Sequence, residues 1–189
     1  MGSVSSSPNS RSITGPKLRL VPFSKAHVTD SYLSWLGNPQ LLRFSRNRLH
    51  KHTRESSLQY LESFSGSENF FWAVETLADN QHVGTMTTYV DAHNRTADLG
   101  ILIGPEMTGF GCGKEAWGLA LRHGFERLNL RKITGGTTAN NTAMTRILEH
   151  WHMVREGTLR HQELLDDGEI DVLLYGMLRE EWFELHGQG

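Results

Sequence analysis

At 189 residues, with 38% hydrophobic and 21% charged residues and a net charge of −2, the chain is long enough for one well-cored domain and short for two. No apolar run approaches the ~20 residues needed to cross a bilayer, and the slight acidic balance gives no basic excess for nucleic acid. The single cysteine, Cys112, excludes an internal disulfide framework and fits a reducing compartment; the expectation is one cytoplasmic domain with no membrane or nucleic-acid partner.

Residues 1–16 are rich in Ser, Gly and Pro and lack the apolar core and basic start of a secretory signal, so they read as a disordered leader to a domain over residues 17–189. Met1-Gly2-Ser3-Val4-Ser5-Ser6 fits a myristoylation pattern only formally, because nothing basic follows it. Residues 18–22 alternate as a short strand that Pro22 closes. Helical spacing runs from residue 24 to residue 35, and Gly37-Asn38-Pro39 stops it. The basic stretch at residues 43–54 carries Arg43, Arg46, Arg48, Lys51 and Arg54 with His50 and His52; it is either a solvated surface loop or a site for an anionic substrate.

Thr53 opens a second helix whose apolar face is Leu58, Tyr60, Leu61 and Phe64. Residues 70–76 and 82–90 are β-branched and aromatic strands around a turn at 78–81, and residues 96–104 are another strand. That strand runs into Thr108-Gly109-Phe110-Gly111-Cys112-Gly113-Lys114, then into a helix with Ala116, Trp117, Ala120, Leu121, Gly124, Phe125 and Leu128 on one stripe. A strand at 132–138, a helix at 140–150 and a hairpin of 153–165 with 169–178 around Asp166-Asp167-Gly168 complete the chain. Strands first, then strand-helix-strand-helix, then a hairpin is a mixed-sheet α/β or α+β layout.

A helix N-terminus presents unpaired N–H groups and the positive end of a dipole, and a glycine-rich entry lets backbone approach a phosphate closely. Gly109, Gly111 and Gly113 supply that access, unless the loop only turns tightly into its helix. The Walker pattern fails at Thr108 and Glu115, where it needs Gly and Ser or Thr; the dinucleotide fingerprint starting at Gly109 fails at Lys114, where it needs Gly.

The run Gly109-Phe110-Gly111-Cys112-Gly113-Lys114-Glu115-Ala116-Trp117 resembles the acetyl-CoA pyrophosphate loop of the GNAT superfamily, with Gly111 and Gly113 matching and Thr108 standing where Gln or Arg is usual. Ala97-Asp98-Leu99-Gly100-Ile101-Leu102-Ile103-Gly104 resembles the family's fourth strand, and Asn141-Thr142-Ala143-Met144, Arg155-Glu156-Gly157 and Asp167-Gly168 follow in order. The match covers about residues 17–181 and is closest to the ribosomal-protein-acetylating type and its sugar-modifying relatives. It implies an acyl-CoA N-acyltransferase fold, a mixed, mostly antiparallel sheet with a splay after the fourth strand, flanked by helices. It also implies acetyl-CoA as acetyl donor, held by Ile101, Leu102, Ile103, Thr108, Gly109, Phe110, Gly111, Cys112, Gly113, Lys114, Asn141 and Met144.

Acetyl transfer to an amine needs a neutral nucleophile, a polarised thioester carbonyl and a route for a proton. The resemblance implies strand N–H groups around Ile101 and Ile103 for the carbonyl and Asp98, acting through a water, as base; Asp98 reads equally as an ordinary strand carboxylate. Asn141 belongs at the mouth of the splay or serves as a helix N-cap. The family's usual Tyr or Ser acid for the departing thiolate is replaced by Leu148 or Met144, so that either the thiolate leaves unprotonated or another group such as His150 or His152 serves. Cys112 reads as a small loop side chain against the pyrophosphate, and the His pairs lack further ligands at metal spacing, so no metal site is expected. Residues 35–60 resemble enzymes that acetylate nucleotide-linked amino sugars, which makes Arg43, Arg46 and Arg48 forks for a diphosphate. The acceptor is then a small-molecule amine, most simply a free or nucleotide-linked amino sugar; a protein N-terminus and a non-catalytic CoA-binding module are the alternatives, with a monomer or homodimer as the assembly.

Overall fold

A computed structural model describes residues 12–166 and 168–187. Its strands are β1 (Ile13–Thr14), β2 (Leu18–Pro22), β3 (Phe70–Thr76), β4 (His82–Asp91), β5 (Thr96–Ile103), β6 (Lys132–Thr138), β7 (Val154–Leu165) and β8 (Gly168–Leu178). They form one sheet in the order β1-β2-β3-β4-β5-β6-β8-β7. Every neighbouring pair is antiparallel except β5 and β6. This is the mixed, mostly antiparallel sheet expected. Because β1 precedes it, the family's fourth strand is β5.

The expected leader is corrected at its end: Ile13 pairs with Leu20 and Thr14 with Arg19. Glu115 fixes this entry, since its Oε1 accepts from the backbone N–H of Lys17 and Leu18 at 2.8 and 2.9 Å. Residues 1–11 lie outside the described residues, as does Asp167 in the final turn.

The helices are α1 (Asp30–Leu36), α2 (Pro39–Leu42), α3 (Arg54–Glu62), α4 (Cys112–Arg122), α5 (Thr142–His150) and α6 (Arg179–His186). Residues 24–35 are not one helix. A 3-10 turn at Lys25–His27 comes first, and Thr29, extended at φ −89 and ψ 168, then caps α1 by accepting from Tyr32 N. The Thr29 side chain cuts the helical pattern where spacing alone runs on. Asn38 caps α2 with Pro39 at its first turn, and Thr53 and Ser56 form a reciprocal capping box on α3. The sequence reading contained neither α2 nor α6.

Odd-numbered residues of β5 face α4, α5 and α6, where Trp72, Met86, Leu99, Ala116, Trp117, Leu121, Ile133 and Met177 close the main core. Even-numbered ones face α1 and α3, where Tyr32 and Trp35 of α1 and Phe64, just after α3, pack on Phe71, Ala73 and Leu102. At about 1.5–3 kcal/mol per fully buried large apolar side chain, the main core holds the sheet to α4. Gly118 shows how close that packing is, because an added Cβ would lie 2.0 Å from Trp151 Cζ2.

Candidate active site

The parallel pairing of β5 with β6 lasts three residues, Thr96 with Lys132, Ala97 with Ile133 and Asp98 with Thr134. Beyond that point residues 99–103 continue to pair with β4 on one side, and residues 135–138 with β8 on the other. The sheet therefore splays open after Asp98 and leaves a slot with a backbone wall on each side. Thr134 Oγ1 donates to Ala97 O at 3.2 Å, so Ala97 directs its backbone groups toward β6. By the two-residue alternation of a strand, the N–H groups of Leu99, Ile101 and Ile103 then face into the slot. Gly104 N donating to Val83 O at 2.8 Å keeps the same alternation on the other side. Leu102 differs from its neighbours, since its backbone turns to β4 opposite Thr85 and its side chain packs under α1 and α3. Leu99, which the sequence reading did not single out, takes its place.

At its far end the slot meets α4. Gly109 and Gly111 have φ of 88 and 82, and an added Cβ at either would meet nothing within 4 Å. Gly111 is the N-cap, so the N–H groups of Cys112, Gly113 and Lys114 open the helix, the first intrahelical bond being Glu115 N to Gly111 O. These donors suit a phosphate whatever their side chains do. Thr108 Oγ1 is turned back to Gly104 O at 3.4 Å, Phe110 is 71% exposed at the loop tip, and Lys114 O accepts from Trp151 Nε1 at 2.8 Å.

The Cys112 side chain is not a loop residue against a phosphate but part of the main core, and burial, followed by the Glu115 charge, pushes its thiol up. Only its backbone serves the helix entrance. Asn141 caps α5, its Oδ1 accepting from Met144 N at 3.2 Å, directly after β6 ends. Met144 and Leu148 are buried in the main core and offer no proton. His150 is exposed, with its ring edge on Trp151 at 5.3 Å.

Several features of the slot fit a long thioester cofactor. A Cβ on Gly113 would lie 3.0 Å from Ile147 Cδ1, 3.6 Å from Ile103 Cγ1 and 3.8 Å from Ile101 Cδ1, so the glycine keeps an apolar cradle open. Thr138 Oγ1 and Asn140 Oδ1, where β6 ends, are buried without a hydrogen-bond partner, a cost that a bound polar arm removes.

Asp98 stands where the splay begins. Its Oδ2 accepts from Thr134 Oγ1 at 2.8 Å, and desolvation raises its carboxyl above the ordinary range against that bond. The basic stretch is used internally. Arg46 Nε lies 2.8 Å from Glu163 Oε1 and Arg48 Nη2 3.0 Å from Glu163 Oε2, and Arg43 sits 5.2 Å over the Phe44 ring. Arg46 and Arg48 thus share one carboxylate on the closing hairpin. No group of three or more His, Cys, Asp or Glu side chains among the described residues could hold a metal, and no helix is long and apolar enough to cross a membrane.

Residues 17–154 match the family model described as acetyltransferase (GNAT) domain. A Bacillus licheniformis protein named uncharacterized N-acetyltransferase p20 is 29% identical over 121 residues, 64% of this chain and 67% of that one. The fold is also similar to a Bacillus anthracis GNAT-family acetyltransferase, at TM-score 0.79 and 21% identity over 90% of this chain and 100% of that one. It is similar to RimL, a ribosomal L7/L12 alpha-N-protein acetyltransferase solved with coenzyme A, at TM-score 0.80 and 15% identity over 90% and 99% of the two chains. Spermidine N-acetyltransferase from Vibrio cholerae, solved with CoA and spermine, superposes at TM-score 0.79 and 18% identity over 88% and 98%.

Proposed function

The chain belongs to the GNAT acetyltransferase family, and from that premise we propose that it uses acetyl-CoA to acetylate the primary amine of an amino sugar, the free sugar in preference to a nucleotide-linked one. The observation that carries this reading is the end of the β5–β6 ladder at Asp98 and Thr134, which puts a carboxylate where an open slot begins.

Acetyl-CoA supplies the thioester acyl group. The N–H groups of Cys112, Gly113 and Lys114 hold its pyrophosphate, and those of Leu99, Ile101 and Ile103 offer the donors that polarise a carbonyl in the slot. Asp98 receives the proton that an ammonium must lose before attack, directly or through a water. Its raised carboxyl suits that task better than an ordinary one, because a base works best when its pKa approaches the operating pH. The Arg46–Glu163–Arg48 bridge supports preference for the free sugar, because both arginines already share a carboxylate that a diphosphate would have to displace. Thiol release is the test, with acetyl-CoA and glucosamine, a nucleotide-linked amino sugar, spermidine or a peptide with a free α-amine as acceptor. Glucosamine giving the highest kcat/KM supports the reading; turnover of the peptide alone, or tight acetyl-CoA binding without turnover of any amine, overturns it.

A further inference from the structure

On the face of the sheet that carries Asp98, α1 and α3 cover β2, β3, β4 and the Leu102 end of β5, while Asp98, Gly136 and Leu174 are exposed. The border of the open part is tyrosine. Tyr60 on α3 and Tyr89 on β4 are 39% and 43% exposed, and their hydroxyls lie 2.5 Å apart. Tyr89 stands directly opposite Asp98 in the β4–β5 ladder, so the two side chains rise from one face at neighbouring positions. The next pair along that face is Thr87 with Gly100, where an added Cβ would come within 2.6 Å of Thr87 Oγ1.

The wall is backed by other rings. Tyr60 lies 5.2 Å from both Phe64 and Phe71, and Tyr89 5.9 Å from Phe64, centroid to centroid. Its orientation costs an incoming ligand little entropy. Three strand carboxylates have cations: Glu75 has Arg19, Glu156 has Lys132 at 2.6 Å, and Glu163 has Arg46 and Arg48. Asp98 has a hydroxyl donor and no cation among the described residues.

An open face that joins a cation-free carboxylate to a rigid, hydroxyl-tipped aromatic wall is complementary to an ammonium on an amphipathic body. We infer that Tyr60 and Tyr89 form the acceptor platform of this enzyme, holding a cationic primary amine beside Asp98. Burial, followed by the bond to Tyr89, raises the Tyr60 phenol, so it stays neutral, and whichever hydroxyl donates within the pair, the other keeps its hydrogen for the acceptor. Tyr89 stands opposite Asp98, one residue before the slot wall of residues 99–103, so the pair acts by positioning the acceptor and leaves the acetyl donor's binding alone.

This rests on the acetyl-transfer reading, and its test separates the two. Steady-state thiol release is measured with the amine of highest kcat/KM among glucosamine, spermidine and an α-amino peptide, beside a titration of acetyl-CoA binding. Tyr89→Phe raises the acceptor KM about tenfold and Tyr60→Phe about threefold, while kcat and the acetyl-CoA affinity stay within about twofold of wild type. Tyr89→Ala, which removes the ring as well, raises acceptor KM more than about thirtyfold; if it fails to fold, the two Phe variants carry the test. Unchanged acceptor KM in the Phe variants of a turning-over enzyme overturns the platform and leaves acetyl transfer standing. Acetyl-CoA binding by the wild type with no release from any amine overturns both.

Discussion

Arg48 and Glu163, 115 residues apart, meet with Nη2 3.0 Å from Oε2, and Arg46 Nε takes the other oxygen at 2.8 Å. One carboxylate thus ties the segment before α3 to β7, the outer strand of the closing hairpin, and the hydrogen bonds from Arg46 and Arg48 hold Glu163 below the usual carboxylate range. The two arginines are unequal: side-chain exposure is 17% for Arg48 and 72% for Arg46, against 11% for Glu163. Arg48→Ala is expected to cost about 1–3 kcal/mol, because a recessed carboxylate loses its sheltered partner. Arg46→Ala is expected to cost less than about 1 kcal/mol, as exposed pairs do. Urea unfolding at neutral pH reads both, and equal losses would show that the sheltered geometry adds nothing.

For Asp98, function and stability are predicted to part. Asp98→Asn removes the proton acceptor and lowers kcat/KM about 10²–10⁴-fold at neutral pH. A carboxyl raised in the fold holds its proton more tightly folded than unfolded, so its contribution to stability is complete below the unfolded pKa and lost as pH rises through the folded one. Asparagine at this position is therefore no less stable at pH 7. The wild-type pH–rate profile should also show an acidic limb above the ordinary carboxylate range that the variant lacks; a variant that keeps the limb rules Asp98 out as the base.

At the helix entrance, Gly111 has φ 82 and open space around it, so alanine there meets strain without collision. The left-handed conformation costs an ordinary residue about 1–2 kcal/mol, and relief of that strain moves the N–H groups of the first turn of α4. Gly111→Ala is expected to weaken acetyl-CoA binding about tenfold, read by titration calorimetry, with a stability loss no larger than that strain. Retained affinity would place the pyrophosphate elsewhere.

Two histidines, His123 buried and His82 half-buried, set an acid-side limit. Burial lowers His82 and His123 from the usual 6.5 to about 4, helped at His82 by the His27 charge and at His123 by Arg127. The unfolded chain binds these protons first, so stability is full above about 6.5 and is lost as pH falls toward about 4. Urea midpoints measured across that window should drop, and His123→Leu should flatten part of the fall. A flat wild-type profile would contradict the neutral state of both rings.

Much of this architecture was legible in the chain because its signals are local. The limits of β6, the cap at Thr53, the hairpin of β7 with β8 and the entry of α4 through Gly111 each depend on a few neighbouring residues whose periodicity, capping or φ preference is intrinsic. The departures have local causes as well. Thr29 cuts a helix that apolar spacing extends, and Cys112, one residue past the N-cap, turns inward because the helix stripe starts there.

What the sequence by itself determined is the order of the strands from β2 to β8, the helices α4 and α5 between them and the glycine entrance to α4, since these are written in short-range patterns. Only the tertiary structure decided which groups share a face. Tyr89 comes to stand opposite Asp98 through the register of β4 on β5, Tyr60 reaches it through the packing of α3 on β3, and Glu163 draws off Arg46 and Arg48 from more than a hundred residues away. A strand shifted by one residue would turn Asp98 to the other face with no change in the amino acids, and for that reason the acceptor side depends on register and packing where the donor side depends on sequence.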